Sequence, residues 1–151
     1  MNIKKELKNY INSHPDYWEF EDELKEVLRL KKINKSKHKV MKIITKEIEQ
    51  AFAKQGYTGN KSAKDIKIIM KLFNPTGAGT WYLYEKEDED IYWGFVTLGD
   101  PVCAECGTVS MQELMEYKGR FGLGIERDMH FEPFSKTLEE VQEIIKSGGH
   151  V

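Results

Sequence analysis

Ile66-Lys67-Ile68-Ile69-Met70-Lys71-Leu72-Phe73 is the stretch where the period of this chain changes, and the fold turns on how it is read. Ile66, Ile68, Met70 and Leu72 fall on one side of an extended segment, with Lys67 and Lys71 on the other. That alternation is the pattern of a half-buried strand. Immediately after it, Asn74-Pro75-Thr76-Gly77-Ala78-Gly79 reads as a turn. Thr80 to Tyr84 and Ile91 to Leu98 are aromatic and β-branched enough for two more strands, joined by the solvated acidic loop from Glu85 to Asp90.

Ahead of this stretch the apolar spacing is helical. Ile3, Leu7, Tyr10 and Ile11 share one face, and Ser13-His14-Pro15-Asp16 interrupts with a capping residue and a proline suited to a first turn. Tyr17, Phe20, Leu24, Val27 and Leu28 then mark a helix to about Lys32, and Val40, Ile44, Ile48, Ala51 and Phe52 mark another from about Ser36 to Gln55. Gly56-Tyr57-Thr58-Gly59-Asn60-Lys61-Ser62 breaks both patterns and serves as the linker. It divides the chain into a helical region, residues 1–60, and residues 61–151. Two helix starts follow, the capping boxes Ser110-Met111-Gln112-Glu113 and Thr137-Leu138-Glu139-Glu140, with glycine closing each helix at Gly119 and Gly148. The expected fold is α+β: a small, mainly antiparallel sheet of three to five strands with helices packed on it and an all-helical arm in front.

Composition narrows the setting. An apolar fraction of 40% is enough for a packed core, which sets the chain apart from a disordered one. No apolar run is long enough to cross a bilayer or to act as a signal peptide, so a cytoplasmic, soluble protein without a membrane partner is expected. The net charge of −2 conceals a segregation. Through Asn60 there are 13 Lys and Arg against 9 Asp and Glu, net +4; from Lys61 onward there are 10 against 16, net −6. Between Arg29 and Lys46 no acidic residue occurs, and Lys31, Lys32, Lys35, Lys37, Lys39 and Lys42 form a basic stripe suited to nucleic acid, to an acidic protein or to the acidic part of the same chain.

The densest collection of special residues is Gly119 to Phe131, with glycines and then Glu126, Arg127, Asp128 and His130. These are the groups of general acid–base chemistry or of a carboxylate–histidine metal site. In an extended segment Glu126, Asp128 and His130 share a face that Arg127 does not. They are the candidate catalytic set of a metal-assisted hydrolase, with Glu105 as a fourth member. The competing reading is a structural ion-pair network, since no nucleophile with a partner stands beside them.

Cys103-Ala104-Glu105-Cys106 is formally a metal or redox motif, yet a structural zinc needs four ligands and no second pair completes it. Two reduced, buried or half-buried thiols and no cofactor are expected. Thr76-Gly77-Ala78-Gly79-Thr80 lacks the Lys-Ser or Lys-Thr of a P-loop. Trp81, Tyr82, Tyr84, Tyr92 and Trp93 have the spacing of strand residues that fill a core and its rim.

From about Ile68 to Val151 the chain resembles a bacterial family catalogued as domain of unknown function 2958. The resemblance rests on Lys71-Leu72-Phe73-Asn74-Pro75 running into Thr80-Trp81, then Trp93-Gly94-Phe95 with Leu98-Gly99, Glu105 through Ser110, and Gly122 through Phe131. The ending, Leu138 through Gly149-His150-Val151, is similar as well. Where the family tends to Pro-Glu-Leu-Gly-Tyr, this chain has Ala104-Glu105-Cys106-Gly107-Thr108. The resemblance implies no activity. It implies a small accessory protein of plasmids, conjugative elements and phages. The expected function is therefore a non-enzymatic interaction protein of a mobile genetic element that binds a host or element protein, such as a defence component. The alternatives are the hydrolase above and nucleic-acid binding through the basic arm.

Overall fold

The computed structural model describes Ser13 and residues 20–151, except for the side chains of 20–24 and 36–42. The helix expected over Ile3 to Ile11 and the proline start at Pro15 lie outside the described residues, as do the side chains of Tyr17, Phe20, Leu24 and Val40. Packing divides the chain into two compact units, Met1–Ser36 and Lys37–Val151.

Helix α1 covers Phe20–Ile43 and α2 covers Lys46–Gln55. The interruption expected between Lys32 and Ser36 does not occur. Ile33, Asn34 and Lys35 include neither glycine nor proline, so nothing stops the helix there. The chain breaks instead at Thr45, whose extended backbone lets its hydroxyl accept from the Ile48 N–H at 3.4 Å and cap α2. Val27 and Leu30 of α1 are 44% and 50% exposed, so that helix keeps part of its apolar stripe in solvent.

Among the described residues the sheet has five strands: β1 (Met70–Phe73), β2 (Thr80–Lys86), β3 (Ile91–Thr97), β4 (Glu105–Ser110) and β5 (Glu126–Arg127). Their order is β4-β3-β2-β1-β5, every pair antiparallel. Helix α3 (Met111–Glu116) follows β4, and α4 (Leu138–Lys146) follows β5. Two cores result. Ile48 and Phe52 of α2 and Met111 and Met115 of α3 pack with Met70, Leu72, Trp81, Leu83 and Tyr92. Leu138, Val141 and Ile145 of α4 pack with Ile66, Ile68, Tyr82, Tyr84 and Phe95. Successive strand residues point to opposite faces, so the apolar runs of β2 feed both layers.

The opening stretch obeys its alternation in two halves. Ile66 and Ile68 enter the α4 core, whereas Met70 and Leu72 enter the other, and Ile69 is fully buried beside them. The switch follows a change of hydrogen-bond partner. Ile68 donates to the Lys136 carbonyl at 2.9 Å, and Ile69 donates to Leu83 of β2 at 2.8 Å. Between β2 and β3 the register shifts at Leu83 and Glu85, a bulge at Tyr84 that frees its carbonyl from the ladder. The buried Gln55 amide satisfies that carbonyl, donates to Lys67 O at 2.6 Å and accepts from Lys67 N–H at 2.9 Å. One side chain thus ties the end of α2 to two extended segments.

Candidate functional site

The charged cluster is divided by the sheet. Arg127 pairs with Leu72 in β5, and its guanidinium donates to the Ile43 carbonyl at 2.8 Å, satisfying one orphan acceptor at the end of α1. Asp128 faces the other way. Its carboxylate meets Lys71 Nζ at 3.0 Å and accepts from the His130 N–H at 2.9 Å, while Lys71 also donates to the Val151 main-chain oxygen at 2.6 Å. The Lys71 hydrogen bond holds the Asp128 carboxyl below the usual aspartate range, and the His130 N–H adds to the effect. Glu126 and His130 are exposed. A hollow of about 370 Å³ reaches Lys71, Arg127 and Asp128 but is lined by neither Glu126 nor His130.

Glu105 is not brought to this group. It stands on β4, the opposite edge of the sheet from β5. Four strand spacings separate the two edges, about 19 Å. Among the described residues no three His, Cys, Asp or Glu side chains are placed to hold a metal ion. Cys103 and Cys106 are free and both exposed, which corrects the expectation of buried or half-buried thiols. Cys103 sits in a single 3-10 turn, Pro101–Cys103, and Cys106 lies on the edge strand β4. The Gln142 amide of α4 donates to the Cys106 sulfur at 3.6 Å. Burial pushes the Tyr84 hydroxyl well above its ordinary value, with the Cys106 thiol beside it adding to the rise. Lys31, Lys32 and Lys35 are exposed on α1, whereas the side chains of Lys37, Lys39 and Lys42 lie outside the described residues. Among the described residues no helix is long and apolar enough to cross a membrane.

The aromatic run divides as strand spacing requires. Trp81, Tyr82, Tyr84 and Tyr92 are buried, and Trp93 is 36% exposed at the rim of a cavity of about 1000 Å³. This cavity was not anticipated from the sequence. Its wall comes from Glu49 and Phe52 of α2, from the segment Gly56 to Gly59, and from Tyr84 to Glu87 with Trp93. The bulge makes Glu85 the register partner of Trp93. Glu85 is only 8% exposed, and its Oε2 accepts both the Thr58 N–H at 2.8 Å and the Thr58 hydroxyl. Trp93 Nε1 donates to Glu87 Oε2 at 2.8 Å. A cue did exist in the sequence: a glutamate directly following a run of strand aromatics.

The family described as Protein of unknown function (DUF2958) matches residues 43–151, and the chain belongs to it. The match begins ahead of the resemblance read from Ile68 and takes in α2. No curated protein and no solved structure matches the chain.

Proposed function

We propose that this family member is a non-enzymatic interaction protein of a mobile genetic element, acting in the cytoplasm by binding a host or element protein such as a defence component. What supports this reading is the contrast between two places in the fold. Asp128 and Arg127, the groups best suited to chemistry, spend their hydrogen bonds on Lys71, the His130 N–H and the end of α1. The cavity beside Trp93 combines aromatic and acidic walls with open access, the makeup of a recognition surface.

The test is capture from host lysate with the tagged full chain as bait. A discrete partner retained through stringent washing is the expected result, and its identification decides whether it belongs to host defence. A wild-type chain that retains no partner overturns the reading. Exposed Lys31, Lys32 and Lys35 favour a second reading, nucleic-acid binding by α1. A mobility shift at low salt that disappears when all three become Glu supports it, and no shift at low salt removes it.

A further inference from the structure

We propose that the cavity between α2 and the β2–β3 hairpin receives a cationic side chain, arginine or lysine, from the partner protein. This deepens the interaction reading above and rests on it. The charge of the wall comes first. Glu49, Glu85 and Glu87 face the space against one cation, Lys86. That lysine pairs with Glu49 in the same wall, its ammonium 3.7 Å from the carboxylate and 6.0 Å from the centre of the Tyr92 ring, so the excess negative charge rests on Glu85 and Glu87. Excess negative charge in a hollow with low-dielectric walls draws in a cation and repels carboxylates and phosphates.

Glu85 supplies the second argument. Both of its hydrogen bonds come from Thr58 and fall on Oε2; among the described residues no donor is placed on Oε1. A carboxylate has acceptor capacity on both oxygens, so Oε1 can take a further donor from the cavity that Glu85 lines. A guanidinium or ammonium brings the N–H donors and the charge that this oxygen lacks.

The aromatic wall is the third. Tyr57 and Trp93 line the opening, and ring faces attract cations. One of the two rings is tethered. Trp93 is tethered through its indole N–H to Glu87, and Tyr57 lies across Gly59, where an added Cβ would come within 2.1 Å of the tyrosine hydroxyl. The missing side chain leaves room for the ring, and Tyr57 itself is 71% exposed. Phe52 and Tyr84 offer apolar surface for the methylene stem that carries the charge.

The experiment follows the Trp93 indole N–H by NMR in the intact labelled chain, assigned with Trp93→Phe. It is titrated with N-acetyl-arginine amide, N-acetyl-lysine amide and the neutral isostere N-acetyl-citrulline amide. Saturable shifts with the two cations, with a Kd on the order of 1 mM for a lone side chain, and none with citrulline are expected. Glu85→Gln keeps an acceptor for both Thr58 donors and should weaken cation binding roughly tenfold. Gly59→Ala should weaken it by displacing Tyr57. If Glu85→Gln lowers the melting temperature, Glu49→Gln on an exposed side chain takes its place, again with weaker binding expected. Equal shifts with citrulline, no saturable shift, or unchanged affinity in the variant would overturn the assignment. The two proposals fail separately. A partner captured equally well by wild type and Glu85→Gln leaves the interaction standing and removes the cavity. Cation binding without any captured partner does the reverse.

Discussion

Asp128 is the residue on which the structural and chemical readings of the charged cluster part. Its carboxyl titrates below the ordinary range because Lys71 and the His130 N–H both favour the charged form. A depressed folded-state value contributes stability that is present above the unfolded aspartate value of about 3.9 and is lost as pH falls through the folded value. Asp128→Asn should therefore lower stability at neutral pH by about 1–3 kcal/mol and flatten the acid limb of a urea-denaturation series. His130→Ala, which keeps the N–H that Asp128 uses, should change it by less than about 0.5 kcal/mol. Gln55→Leu is expected to cost more, about 2–4 kcal/mol, because it orphans the Lys67 N–H and carbonyl together with the Tyr84 carbonyl. Alternation in the sequence placed Arg127 and Asp128 on opposite faces. Lys71 as the partner was not legible, since the two lie 57 positions apart and meet only through the β1–β5 register.

At the scale of elements, the two capping boxes show how far local sequence carries. Thr137 and Glu140 close theirs reciprocally, at 2.7 and 3.1 Å, using residues within one turn. Ser110 accepts from Glu113 N–H at 3.2 Å, but the returning carboxylate is Asp90, which accepts from the Ser110 hydroxyl and from the Gln112 N–H at 2.7 Å. The acidic tip expected to be only solvated thus caps α3. Asp90→Ala should cost about 1 kcal/mol or more, read by thermal unfolding, and Thr137→Ala about 1 kcal/mol. Strand existence and the antiparallel sheet could be read from period and turn chemistry because both are local. The position of the α1–α2 break could not, since the apolar pattern runs across it and only Thr45 capping decides the place. Nor could the cavity, whose walls approach through a bulge and the contact of Thr58 with Glu85.

At the scale of the whole molecule, both layers rest on buried tyrosines. Burial pushes Tyr82 up to about 12, with Asp128 adding to it, and raises Tyr84 and Tyr92 as well. Values raised above the unfolded state mean stability that is complete below the unfolded tyrosine value of about 10 and lost as pH rises through the folded ones. Unfolding should therefore steepen above about pH 10, and Tyr82→Phe should soften that limb. The Lys37–Val151 unit carries 15 Lys and Arg against 18 Asp and Glu, net −3, so it is mildly acidic. We propose that the cluster at 126–130 maintains shape while recognition happens at the hollow beside Trp93. The most direct test measures melting temperature and partner capture together in Asp128→Asn and Glu85→Gln. Asp128→Asn should melt earlier yet capture normally per folded molecule, whereas Glu85→Gln should melt normally and lose capture. Loss of function in Asp128→Asn at an unchanged melting temperature would contradict it.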